Sequence, residues 1–402
     1  CGMVSGSSVG NTVTTGSVTI PMMKRTGYPP EFAGAVEAAS STGGQIMPPI
    51  MGAAAFIMAE MTGYEYSDII VRAILPAFLY FLGIFLGVHF KAKKLGLVGL
   101  KREELPKWKI LLPKIYLLLP LIVLTWMVIA GQTMAKSAIY GTIVAIVVGI
   151  INKDDRMTPT KFVNGLENGG KNCLSIGIAC GIAGIISVCI TMTGLGGKLI
   201  TYVVKLSNGH LFIALFLTMI CCIILGMGVP TTANYIIMAS TCAPILINGM
   251  GMHILAANMF VFYFGIVADI TPPVALAAYA GAAIAKAPPM KTALNATRLA
   301  IAAFIIPYIF AYNNAMIFVG DVTFFGVASI VISATLGMAS IASGFMGYLI
   351  HDLKWYSRIA LIAGGLLMVI PGTVTDLSGL AILIVILLIQ RAENKKEKKA
   401  AV

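Results

Sequence analysis

Charge is what this sequence has least of, and the shortage excludes a soluble fold. Only 11% of its 402 residues are charged while 58% are hydrophobic, against about 25% and roughly 45–50% in soluble domains. Acidic residues number 16, which leaves little material for paired catalytic carboxylates. The four histidines, His89, His210, His253 and His351, are scattered near the ends of apolar segments, with no HExxH spacing and no nucleophile beside them. No CxxC pair occurs. Cys173, Cys180, Cys189, Cys221, Cys222 and Cys242 fall in apolar stretches and read as small helix-packing residues.

Apolar sequence fills the space that charge leaves. A hydrocarbon core about 30 Å thick takes about 20 residues per helical crossing, so about nine or ten membrane elements fit. Long crossings are expected at 68–90, 110–130, 134–151, 173–193, 292–312 and 324–350. The net charge of +12 does not mark a nucleic-acid surface, because Lys and Arg gather in short loops. The loop at 91–109 carries Lys91, Lys93, Lys94, Lys101, Arg102, Lys107 and Lys109, and the tail carries Lys395, Lys396, Lys398 and Lys399. Both should be cytoplasmic by the positive-inside rule. Counting crossings from there puts 194–209 outside, as a loop. The chain opens on Cys1 rather than Met, which reads as loss of an upstream segment rather than a lipoprotein start.

Two apolar regions are interrupted. The stretch 210–247 breaks at Gly226, Gly228 and Pro230, leaving two arms of about 15 residues, short for full crossings and suited to a re-entrant hairpin. The last apolar region breaks at Pro371 and Gly372, and a second short hairpin there would return the tail to the cytoplasm.

The chain also repeats itself. Gly10-Asn11 resembles Ala233-Asn234 (234 − 11 = 223), Pro21 matches Pro244 (244 − 21 = 223), and Pro48-Pro49 matches Pro272-Pro273 (272 − 48 = 224). The first copy begins near the cytoplasmic Lys24 and Arg25, whereas the second opens outside, so the repeats are inverted. Inverted repeats with interrupted helices place transporter sites near the bilayer midplane.

Each copy is polar where it breaks. The first has a tip at Ser5–Thr12 and then Ser41-Thr42-Gly43-Gly44 ahead of Pro48-Pro49. Gly and Pro there should strip the carbonyls of Thr42 to Gln45 of helical partners. In lipid such carbonyls need another partner, and a sodium ion suits them. The second copy repeats the pattern with Gly226, Gly228, Pro230, Thr231, Thr232 and Asn234 at its tip and Ala268–Pro273 in its broken helix. Two cation sites follow, with an anionic substrate between the tips, near half-helix N-termini, and Asn11 and Asn234 as donors to it. The same Gly, Ser and Thr residues also serve close helix packing. Asp269 reads as a ligand, a proton relay or a cap at a wet cavity. Glu31, Glu37 and Glu60 read as interfacial.

At these breaks the chain resembles the large membrane subunit of tripartite ATP-independent periplasmic (TRAP) transporters, in the fused-permease form that works with TAXI-type binding proteins. Gly-Ser-Val-Thr-Ile-Pro (16–21), Thr-Gly-Gly-Gln-Ile-Met-Pro-Pro (42–49) and Gly-Met-Gly-Val-Pro-Thr-Thr-Ala-Asn-Tyr (226–235) carry the resemblance, which covers roughly residues 1–312. It implies an all-α polytopic membrane protein with re-entrant hairpins and discontinuous helices, in an elevator-type ion transporter fold. A small organic acid would arrive on a periplasmic TAXI-type binding protein and enter across a bacterial or archaeal cytoplasmic membrane with sodium, which is the only cofactor implied. A small-subunit-like region upstream would be missing. Carried onto this sequence, a first sodium site would involve Ser5, Ser7, Ser8, Asn11, Thr42 and Gly44. A second would involve Gly226, Gly228, Thr231, Thr232, Asp269 and Thr271, and substrate would meet Asn11, Thr231 and Asn234. Residues 1–62 would form the first hairpin remnant and broken helix, and 63–193 connecting and scaffold helices. Residues 194–312 would form the second hairpin, its broken helix and the helix after it, and 313–402 extra membrane helices with a basic tail. The competing readings are a polytopic membrane enzyme, which would need clustered acids or histidines, a passive channel, and a proton-coupled carrier of a related anion-transporter family.

Overall fold

The computed structural model describes residues 6–99, 108–152, 156–320, 322–369 and 372–400, and every regular element among them is helical. The chain begins with α1 (Ser8–Arg25), α2 (Pro30–Gly43), α3 (Ala53–Thr62) and α4 (Tyr66–Lys94). A 3-10 segment, Leu112–Leu118, leads into α5 (Leu119–Ile129), then α6 (Met134–Ile151) and α7 (Pro159–Met192). Next come α8 (Leu195–Ser207), α9 (Leu211–Gly226), α10 (Thr231–Thr241), α11 (Ala243–Met250), α12 (Ile254–Val267) and α13 (Leu276–Ala285). These are followed by α14 (Pro289–Leu299), α15 (Ile301–Tyr312), α16 (Phe324–Met346), α17 (Trp355–Val369) and α18 (Thr373–Ala400).

Among the described residues six stretches are long and apolar enough to cross a membrane: Tyr66–Lys94, Leu112–Ile129, Thr231–Met250, Pro289–Tyr312, Phe324–Met346 and Thr373–Ala392. A seventh results if Cys180–Ile190 and Leu195–Ser207, bent by 69°, form one span. The larger number of membrane elements expected from hydropathy is reached only with the shorter apolar helices, α3, α9, α12 and α13 among them.

Those shorter helices belong to the repeat, and its spacing recurs in the element boundaries. α1 and α10 start 223 residues apart (231 − 8), and α2 and α12 start and end 224 apart (254 − 30, 267 − 43). α3 and α13 start and end 223 apart (276 − 53, 285 − 62), and α4 and α14 start 223 apart (289 − 66). The Pro48-Pro49 and Pro272-Pro273 bonds are both cis. Each short third helix begins after a left-handed residue, Gly52 at φ 75° and Ala275 at φ 38°. Only glycine fits the first copy's turn, since a Cβ on Gly52 would lie 2.9 Å from Gly6 Cα.

Four expectations are corrected. The carbonyls of Thr42, Gly43 and Gly44 keep partners, accepting from the N–H groups of Gln45 (3.2 Å), Ile46 (3.1 Å) and Met47 (3.3 Å). Tight i to i+3 turns replace the helical bonds that the glycines and prolines remove. Residues 195–207 are a helix rather than a loop, because Leu199, Ile200 and Val203 recur at helical spacing and pack with Ala214 and Ile245. The second arm of the 210–247 hairpin extends to Met250, since Pro244 sits in the first turn of α11, where proline is compatible with a helix start. At the last break, Pro371 lies outside the described residues, and the helix after Gly372 is long enough to cross rather than a short arm.

α12 occupies the centre. Its residues from Leu255 to Val267 are all buried, as a helix apolar on every side must be, and Phe260 and Phe264 meet Tyr308 edge-on. The two copies cross where α2 meets α13, at Gly34 and Gly281, backbone against backbone. α7 lays one face on α10, which leaves Cys173 and Cys189 exposed, whereas Cys222 and Cys242 pack in the core. The packing role expected of all six cysteines therefore holds only for some.

Candidate functional site

The two hairpin tips face one cavity. α1 is capped by Ser7, whose hydroxyl accepts from the N–H of Gly10 at 3.1 Å. α10 starts after Gly228, at φ 74°, and Pro230. Between them lies a cavity of about 600 Å³, bordered by Ser7, Ser8 and Thr14 from the first copy and by Gly228, Thr231, Thr232 and Asp269 from the second. The first turn of any helix leaves N–H groups without intrahelical acceptors, and these carry the positive end of its dipole. Two such ends border the same space, so it favours an anion there.

A carboxylate borders it too. Asp269 lies in the 3-10 turn Ala268–Ile270 at the break of the second copy and is 7% exposed. Its Oδ2 accepts from the Ser8 hydroxyl at 2.5 Å. This bond ties the tip of one copy to the broken helix of the other.

The expected site residues sort differently from their assignment to two separate loops. Ser7 and Ser8 join Gly228, Thr231, Thr232 and Asp269 around the cavity, while Ser5 lies outside the described residues. Asn11 points away, its Nδ2 donating to Ser41 Oγ at 2.8 Å. Asn234 does the same in the second copy, donating to the Gly265 carbonyl at 3.0 Å, an equivalent acceptor position (265 − 41 = 224). Neither asparagine reaches the cavity wall as a substrate donor; each braces its hairpin against the following broken helix. Gly226 gives Asn234 room, since a Cβ there would lie 2.8 Å from Asn234 Nδ2. Thr42 is fully buried near the end of α2, which Gly44 caps. Thr271 turns its hydroxyl back to the Val267 carbonyl at 2.8 Å.

Buried oxygens without a donor mark where a cation would fit. Thr42 Oγ1, Gln45 Oε1 and Asn234 Oδ1 are buried and have no hydrogen-bond partner, a costly condition for polar atoms. Hard cations take such oxygens, two of which, Thr42 Oγ1 and Gln45 Oε1, lie beside the first break and one, Asn234 Oδ1, on the second hairpin; Gln45 Nε2 is also partnerless. The Gln45 side chain is not among the expected ligands, although it is the one long polar side chain between Thr42 and Pro49. The position of Glu37 also differs from the expectation. It is 7% exposed inside the bundle rather than interfacial, and accepts from Thr15, Thr19 and Ser41. Its spacing from Ser41, one helical turn, was the available signal.

No curated protein matches this chain. A family model, the DctM component of the tripartite ATP-independent periplasmic transporters, matches residues 1–325. The duplicated broken helices and the cavity between their tips all fall within that stretch. The chain therefore belongs to the DctM-component family of tripartite ATP-independent periplasmic transporters, as a multi-pass membrane protein of a transport system.

Proposed function

We propose that this chain carries a small organic acid across the cytoplasmic membrane together with sodium, after a periplasmic TAXI-type binding protein delivers it. The observation that carries the reading is the convergence of both hairpin tips and Asp269 on one cavity. The starts of α1 and α10 would hold the substrate carboxylate through free N–H groups, with Thr231 and Thr232 hydroxyls beside them. Ser7, Ser8, Thr42 and Gln45 Oε1 would serve cation binding in the first copy, and Asn234 Oδ1, Asp269 and Thr271 in the second. A bound cation supplies positive charge that makes entry of an anion favourable, and the anion in turn strengthens cation binding, which is coupling by mutual attraction.

An elevator movement is the step that exposes the cavity to each side. It is supported by the way α1–α3 and α10–α13 pack as one unit at the Gly34–Gly281 crossing, while α5 and α6 expose apolar side chains such as Trp126 and Ile139. The basic loops support a cytoplasmic C-terminus. A Thr232→Cys variant tests the site: a water-soluble maleimide should label it, and sodium with substrate should slow labelling several-fold while potassium does not. Equal labelling in sodium and potassium, with and without substrate, would count against a sodium site at this cavity.

A further inference from the structure

Past the stretch that the family model matches, the chain continues into α16, α17 and α18, and this unit holds an acid at membrane depth. Asp376 lies in the first turn of α18. Further along the same helix, Gln390 Oε1 accepts from the N–H groups of Ile350 (3.0 Å) and His351 (3.1 Å), in the turn between α16 and α17. That turn meets water, since its Asp352 is exposed and pairs at 3.1 Å with Lys94, where the basic loop begins. Asp376 stands 14 residues before Gln390 (390 − 376), about 21 Å along the helix. With a hydrocarbon core about 30 Å thick, the acid is roughly 9 Å below the far edge, the outer one in the orientation supported by the basic loops.

The length of α17 explains how polar sequence comes to lie so deep. Its 15 residues span about 22 Å, whereas the 23 residues of α16 span about 35 Å. α17 therefore stops short of the outer edge and leaves a notch between α16 and α18. A bilayer meets a short hydrophobic element by thinning, which brings headgroups down to it.

Two adjoining cavities occupy the notch. One, of about 250 Å³, is bordered by Asn313, Ser329, Ser333, Thr373 and Asp376. The other, of about 380 Å³, shares Ser329, Ser333 and Asp376 and continues between Ile332 and Leu336 of α16 and Leu377 and Leu380 of α18. Leu336 and Leu380 lie one turn nearer the middle of the bilayer than Ser333 and Asp376. Ile332 and Leu377 are exposed, so the groove opens sideways onto lipid. Polar groups toward the outer edge and an apolar groove below them match the polarity of one outer-leaflet lipid.

Charge decides the headgroup. Asp376 accepts from the Ser333 hydroxyl and forms no ion pair among the described residues. Neither cavity has a Lys, Arg or His in its wall. An anionic lipid would set its phosphate beside an unpaired carboxylate, while an ammonium headgroup supplies the counter-charge that an intramembrane acid needs. Asn313, Ser329 and Thr373 add neutral donors for the phosphate of such a lipid. An acid at a helix start also suits the helix dipole, but that role calls for no cavity beside the acid and no apolar groove leading away from it. A bare cation would match the charge and leave the groove unused.

We propose that this notch binds a phospholipid with a primary ammonium headgroup, its ammonium on Asp376 and an acyl chain along Leu336 and Leu380. The site is independent of the sodium and organic-acid readings, and its test measures no transport. The complete transporter would be mixed with phosphatidylethanolamine carrying a photoactivatable diazirine on one acyl chain. Labelling should map to the peptides of α16 and α18 that contain Leu336 and Leu380. Excess unlabelled phosphatidylethanolamine should reduce it severalfold. The N-acetylated form of that lipid, which keeps the phosphate and both chains but lacks the ammonium, should not. Asp376→Asn should reduce the labelling severalfold. Full labelling in folded Asp376→Asn, or equal competition by the N-acetylated lipid, overturns the proposal. So does absence of labelling on α16 and α18, the result for a bare cation in the notch. Should Asp376→Asn fail to fold, the two competitors decide on the wild-type protein alone.

Discussion

Replacing Gly281 with alanine probes how the two copies are held together. A Cβ at Gly281 would lie 2.6 Å from the Gly34 carbonyl oxygen and 3.2 Å from its carbon, and one at Gly34 would lie 2.8 Å from the Gly281 oxygen. The obstructing atoms are backbone on a buried helix, so no rotamer change relieves the clash and the helices must separate. Overpacking of this kind costs about 1–3 kcal/mol. Gly184→Ala is the control, because nothing lies within 4 Å of a Cβ there and alanine in an open helix gains about 0.5–1 kcal/mol. Thermal unfolding of purified protein, followed by fluorescence-detected size exclusion, should show Gly281→Ala melting several degrees below wild type and Gly184→Ala at or above it. A Gly281→Ala midpoint equal to wild type would refute the backbone contact between copies.

Asn234→Ala should destabilise the second hairpin by about 1–3 kcal/mol, since it strips the Gly265 carbonyl of its donor; an unchanged denaturation midpoint would show that the bond does not brace the hairpin. Mass spectrometry after maleimide treatment of folded protein should leave Cys222 and Cys242 untouched, because both pack in the core. Early modification of Cys242 would contradict the packing around α11.

The breaks were legible in the sequence because glycine and proline act locally. Gly43-Gly44, Pro48-Pro49, Gly228 and Pro272-Pro273 interrupt helices whatever surrounds them, and the shared offset of 223–224 residues carried over to the element boundaries. Four of the long crossings, at 68–90, 110–130, 292–312 and 324–350, were legible for the same reason, since length and hydropathy are properties of a single segment. What sequence spacing does not encode is which break faces which tip. Ser8 and Asp269 are 261 residues apart, and their meeting depends on how the copies interlock. The asparagines were legible as polar groups at hairpins, but not as braces, because Ser41 and the Gly265 carbonyl reach them only through tertiary packing. Glu37 read as interfacial because hydropathy counts charge without seeing the hydroxyls that shelter it. Lys198, Lys205 and three glycines at 194–197 dilute the apolar face of α8, so its sequence alone reads as a loop.

Sodium-driven uptake tests the central claim most directly. The chain would be reconstituted in liposomes with the other transporter components and the substrate-loaded binding protein, as wild type and as Asp269→Asn. Wild-type liposomes should accumulate substrate under an inward sodium gradient and not under an inward potassium gradient. Asp269→Asn, with its melting point preserved, should cut the rate at least about tenfold, a loss of roughly 1.4 kcal/mol. Accumulation without a sodium gradient, or full activity in Asp269→Asn, would contradict the account.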